Sequence, residues 1–187
     1  MGNNYLESVK KQFEYYKMLG ESTFDQLTEE QLFEKTNSEN NSIAIIVKHL
    51  SGNMLSRWTD FLTTDGEKDW RNRDLEFEND IRTKSELLDV WNKGWNCFFT
   101  ALNSLKDSEL NEIIYIRNQG HTVIEAINRQ LAHYPYHIGQ IVFIGKIFCN
   151  NKWITLSIPK GDSEKYNDLK FSEEKTNQHF TDEYLKK

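Results

Sequence analysis

Cysteine, proline and glycine are all scarce in this chain. Cys97 and Cys149 are the only two cysteines among 187 residues. They are far apart and show no CxxC spacing, which excludes a disulfide framework. Both lie in apolar helical patterns and read as buried thiols. Two prolines and nine glycines provide few turn signals, so long helices are favoured over a many-turned β fold. Basic residues are not in excess: 23 Lys+Arg stand against 29 Asp+Glu, for a net charge of -6. An acidic chain lacks the basic footprint of a general nucleic-acid binder. Long apolar runs are missing too. The longest, Ile141 to Ile144, is soon broken by Lys146, far short of a membrane span. No apolar segment follows Met1, and the opening Met-Gly-Asn-Asn-Tyr-Leu lacks the Ser or Thr of a myristoylation signal, so neither signal peptide nor lipid anchor is expected. No phosphate-cradling glycine loop is visible, and Ser157 has no G-x-S-x-G elbow. The expectation is a cytoplasmic protein that partners neither membrane nor nucleic acid.

What is abundant is bulk. Eleven Phe, eight Tyr and five Trp supply core material for one domain, and a compact chain of this length buries roughly 70% of the surface its unfolded form exposes. Residues 4–28 read as a first helix, with Leu6, Val9, Phe13 and Tyr16 at spacings of three and four. Ser42 is placed to cap a second, running from Ile43 to about Leu62 and apolar nearly all round in its first turns. Residues 63–82 are charged and aperiodic. A connection of that length fits a crossover better than a tight hairpin. Thr83 and Glu86 form a capping box before a third helix through Leu87, Trp91, Trp95, Phe98, Leu102 and Leu105. That aromatic stripe reads as core. Ile113 to Ile116 reads as a short strand or extended piece.

Thr122 and Glu125 form a second capping box, and the fourth helix is the clearest signal. Ile124, Ile127, Leu131, Tyr134, Ile138, Ile141, Gly145 and Phe148 alternate three and four, a seam that faces partner helices. The unbroken period on both sides of Pro135 predicts a kinked helix and not a break. Four long helices with almost no strand predict an all-α four-helix bundle with a long crossover between helices two and three. Residues 1–161 form that domain, and 162–187 a polar, partly ordered C-terminal tail.

Chemistry concentrates on helix four. His133 and His137 stand four residues apart, on one face and one turn from each other. Two imidazoles so placed can chelate one metal ion, although the glutamate of a HExxH protease is absent. Gln130 and Gln140 share their stripe on the flank of the apolar seam. His49 lies on helix two, with Asn53 and Arg57 on the same flank. A third ligand from a facing helix would complete a three-His site with coordination positions open to water or substrate, the catalytic pattern. Asn53 and Arg57 then hold a polar substrate, and Gln140 orients a ligand. The plainer readings are a solvated groove amide for Gln140 and a surface residue whose stem covers apolar neighbours for Arg57. His121 reads as a loop or helix-start residue and His179 as solvated.

Ile-Ile-Val-Lys-His-Leu-Ser-Gly-Asn (45–53), the later Trp58 and His-Tyr-Pro-Tyr-His-Ile-Gly-Gln-Ile (133–141) resemble the DinB-like superfamily, also called YfiT-like. Arg-Asn-Gln-Gly-His-Thr-Val (117–123) and Trp-Ile-Thr-Leu-Ser-Ile-Pro-Lys-Gly-Asp-Ser (153–163) resemble an uncharacterised Bacillus-type branch of it. The resemblance covers about residues 4–168. It implies a four-helix bundle with a long crossover, often a homodimer, holding a divalent metal, commonly Ni or Zn. It implies His49, His133 and His137 as the ligands. Characterised members include S-transferases and isomerases that use a low-molecular-weight thiol. The expected function is therefore a metal-dependent enzyme that activates a small thiol or water against a small-molecule substrate. The competing expectation is a non-catalytic metal- or ligand-binding stress protein, or a dimeric scaffold.

Overall fold

The computed structural model describes residues 4–185 and is mostly helical. Its long helices are α1 (Tyr5–Phe24), α3 (Ile43–Trp58), α4 (Lys84–Ser104) and α5 (Val123–Cys149), with the short α2 (Glu29–Phe33) after α1. Helix α1 packs on α5 and α4, and α3 packs on α4 and α5. The starts of α3, α4 and α5 are marked as the sequence leads one to expect. Ser42 accepts a hydrogen bond from the Ile45 N–H, and Thr83 with Glu86 and Thr122 with Glu125 close full capping boxes. Such caps satisfy N–H groups that have no partner within the helix, each cap being worth about 1 kcal/mol. Among the described residues, no helix is long and apolar enough to cross a membrane.

The core is built from the apolar stripes, with Phe13, Trp91, Trp95, Phe98 and Tyr134 essentially inaccessible. The Phe13 and Phe98 rings meet edge to face at 4.5 Å, and Phe98 and Tyr134 at 5.3 Å. Such pairs add roughly 0.5–1.5 kcal/mol beyond area burial. The first five residues of α3, Ile43 to Val47, are all buried, as their unbroken apolar run requires. Gly94 lets α4 approach α3 closely: a Cβ there would lie 2.7 Å from the Ser51 Cα.

Several expectations need correcting. The first helix ends at Phe24, and residues to 28 form a turn leading to Thr28, whose own capping box starts α2. The second ends at Trp58 instead of near Leu62, because Asp60 takes φ 47° and its carbonyl gathers the Thr63 and Thr64 N–H groups. The all-α expectation leaves out a hairpin. Strand β1 (Ile113–Ile116) pairs antiparallel with β2 (Gln119–Thr122), a partner that Gln-Gly-His-Thr does not announce. Arg117 and Asn118 between them both take positive φ, 55° and 60°, the type I′ geometry that matches strand twist. The expectation that helix α5 continues through Pro135 without a break is met. Within the C-terminal tail lie two short helices, α6 (Ser163–Ser172) and α7 (Asp182–Leu185), the latter against α1. His179, expected to be solvated, is half-buried with Nε2 3.0 Å from the Ser8 hydroxyl.

Candidate metal centre

The three histidines come together. His49 projects from α3, and His133 and His137 from α5, so that one ring nitrogen of each lies within 4.8 Å of the others. His49 is buried and the other two are half-buried. Among the described residues no fourth His, Cys, Asp or Glu joins the group.

Every ring is gripped at Nδ1. Glu76 Oε2 lies 2.9 Å from Nδ1 of His49. Gln130 Oε1 faces Nδ1 of His133 at 3.3 Å, and Gln140 Oε1 faces Nδ1 of His137 at 2.8 Å. The two glutamines are symmetric about the pair: one precedes its histidine by three residues, the other follows by three. An ionised carboxylate and an amide oxygen accept only, so each Nδ1 carries a proton, and on a neutral ring Nε2 then holds the lone pair. The Nε2 atoms of His133 and His137 are 3.1 Å apart. Two lone pairs so close repel unless a cation or proton lies between them. Metal–nitrogen bonds of 2.0–2.1 Å put tetrahedral ligand atoms about 3.4 Å apart, so the His133–His137 pair is already at chelating distance. The donor set therefore fits a divalent ion. Burial, then the neighbouring His137 and His49, push the His133 imidazole down to about 4, and burial lowers His137 as well. Both rings are thus neutral, the ligand form, at physiological pH.

The aperiodic crossover supplies what the helices lack. Its 3-10 turn Asp74–Phe77 packs on α3. Phe77 stacks on the His49 ring at 5.2 Å, while Glu76 reaches Nδ1 of the same imidazole. Glu76 also accepts from Arg71, Nε at 2.7 Å and Nη2 at 3.1 Å. Burial pushes the Glu76 carboxyl up, but hydrogen bonds from His49 and Arg71 outweigh it and hold it below the usual carboxylate range. Gly52 is what lets this carboxylate touch α3: a Cβ there would lie 2.3 Å from Glu76 Oε1.

Asn53 and Arg57 line a cavity of about 240 Å³ together with His49 and His133. Arg57 is buried at 7% exposure, so the surface-stem reading is wrong. Its Nη1 donates to the Gly66 carbonyl and to Glu67. Burial lowers the Arg57 guanidinium below its usual range, Glu67 opposing and Arg71 adding to the shift. Asn53 Oδ1 accepts from the Tyr134 hydroxyl at 3.1 Å, which in turn accepts from Trp58 Nε1 at 3.1 Å. Gln140 is no solvated amide, since it holds His137. His121 sits in β2 opposite Ile114 and is not part of the cavity wall.

The model of a family described as Protein of unknown function (DUF1572) matches residues 1–162. The chain belongs to the DUF1572 family. No curated protein and no solved structure matches it. In this DUF1572 chain, sequence reasoning singled out the three histidines, Asn53, Arg57 and Gln140, and placed Gln130 in their stripe without giving it a role. It missed Glu76, Arg71 and Phe77, because residues 63–82 have no period to assign them a face.

Proposed function

We propose that this DUF1572 protein is a divalent-metal enzyme of the DinB-like kind, a four-helix bundle with its Ni or Zn held by His49, His133 and His137. One observation carries the reading: three imidazoles, each with Nδ1 engaged by an acceptor oxygen, bring one ring nitrogen apiece within 4.8 Å of the others. A histidine packed only for stability needs one hydrogen bond and has no reason to aim a second, unprotonated nitrogen at two others. The absence of a fourth side chain of ligand type among the described residues supports open coordination positions.

A divalent ion bound there acidifies a thiol or a water, supplying a thiolate or hydroxide nucleophile at neutral pH. The protein's part is orientation. Glu76, Gln130 and Gln140 fix tautomer and ring plane. Asn53 and Arg57 line the cavity beside His49 and His133 and hold a polar part of the substrate there. The reaction class is transfer of a low-molecular-weight thiol, or hydrolysis, on a small electrophile. The implied homodimer belongs to the same reading, supported by the exposed α5 side chains Tyr136, Phe143 and Ile147. Sedimentation of Phe143→Glu against wild type tests it.

The deciding measurement is metal content by elemental mass spectrometry on untagged protein, beside His49→Ala and His137→Ala. About one equivalent of Ni or Zn per chain, lost in both variants, is expected for a three-His site. A wild type that retains no metal after each ion is added back overturns the reading.

A further inference from the structure

The cavity against the histidines has a second character. Besides Arg57 it is lined by Arg71, Arg73, Arg117 and Arg129. Five guanidiniums converge on about 240 Å³ in a chain whose net charge is -6. Like charges so crowded repel one another, most strongly between the buried side chains of Arg57 and Arg71, while Arg73, Arg117 and Arg129 stand exposed at the rim.

Two carboxylates answer only part of it. Glu67 meets Arg57 and Arg117 at 3.0 Å and Arg71 at 3.7 Å, and Glu76 meets Arg71 at 2.7 Å. Arg73 and Arg129 make no ion pair among the described residues; Arg73 instead lies over the Phe77 ring at 5.2 Å. The three hydrogen bonds of the Arg57 guanidinium all use Nη1. Arg71 adds an independent sign. Its side chain is 3% exposed, and its buried Nη1 has no hydrogen-bond acceptor, Glu67 Oε2 standing off at 3.7 Å. A buried guanidinium N–H without an acceptor is costly, and arginine forks suit the paired oxygens of carboxylate and phosphate.

We propose that this arginine cavity is an anion site that takes the carboxylate or phosphate of a small molecule. His49, Asn53 and His133 share its wall, so the anionic end sits beside the imidazoles and the rest of the molecule faces them. The volume suits one such group with a few attached atoms. As a statement about substrate, the inference rests on the metal-enzyme reading; as a statement about anion binding, it does not.

Isothermal titration tests it, with inorganic phosphate and succinate as probes, each into chelator-stripped and Zn-loaded protein. Saturable binding of at least one probe to the stripped protein is expected. Arg73→Ala/Arg129→Ala, which removes two exposed side chains, weakens it about tenfold or more. Lys93→Ala, an exposed cation on α4, leaves it unchanged and controls for net charge. Phosphate alone binding assigns a phosphoryl group, and succinate alone a carboxylate. No binding of either probe, or binding that the double variant leaves intact, overturns the anion site. Stoichiometric Zn with no anion uptake sinks this inference and spares the metal centre. Anion uptake that needs the two arginines, in a protein that binds no metal, does the reverse.

Discussion

Glu76 holds His49 by one ring nitrogen, Oε2 to Nδ1 at 2.9 Å. The carboxylate comes from a charged crossover and the imidazole from the most buried helix of the fold. Their pairing fixes which nitrogen of His49 is free to bind.

Glu76→Gln is therefore expected to weaken metal retention about 10–100-fold, since the amide can present either an oxygen or an NH₂ to Nδ1. Competition against a chromogenic chelator reads this. Glu76→Ala additionally strands the buried Arg71 guanidinium, and about 3 kcal/mol or more of stability should be lost in urea unfolding.

Gly52→Ala places a methyl 2.3 Å from the Glu76 Oε1 position. Mid-helix alanine alone is favoured over glycine by up to about 1 kcal/mol. Glu76 is pinned between His49 and Arg71, so overpacking outweighs this preference, and a net loss of about 1 kcal/mol is expected. The variant should also retain metal less well than wild type. Equal or higher stability with full retention would show that Glu76 moves freely.

Tyr134→Phe removes one hydroxyl and leaves both its partners, Trp58 Nε1 and Asn53 Oδ1, unpaired in a buried setting. A cost of about 1–3 kcal/mol is expected from denaturant titration. Because Asn53 also lines the cavity, anion affinity should drop in the same variant.

For the metal-free protein, pH dependence follows from His133, held at about 4 when folded against about 6.5 when unfolded. Between those values the unfolded chain binds more protons, so stability rises with pH. The contribution is complete above about 6.5, falls as pH drops below it, and is gone below about 4. Thermal melts from pH 7 to 4 should show a declining midpoint, and His133→Gln should flatten part of the decline.

The elements that could be read beforehand were those whose evidence is local. Capping boxes at Thr83 and Thr122 need only residues three apart. The stripes of α3, α4 and α5 need only a period, because a helix sorts its faces by repeat. The His133–His137 pair, and Gln130 and Gln140 beside it, follow from the same repeat on one helix. The end of α3 was misplaced because Asp60 adopts a left-handed backbone that no nearby residue signals. Strand β2 escaped because four polar residues in register with Ile113 to Ile116 acquire their role only by pairing.

The sequence by itself determined the four long helices, their buried faces and the two imidazoles that share a turn. Only the tertiary structure decided that His49 joins them, that Glu76 grips it, and that Arg57, Arg71, Arg73, Arg117 and Arg129 surround one cavity. Those groups come from α3, the crossover, the hairpin turn and α5. Periodicity orients residues within one element. It carries no information on how separate elements are brought together, which burial of the whole core and the meeting of opposite charges settle jointly.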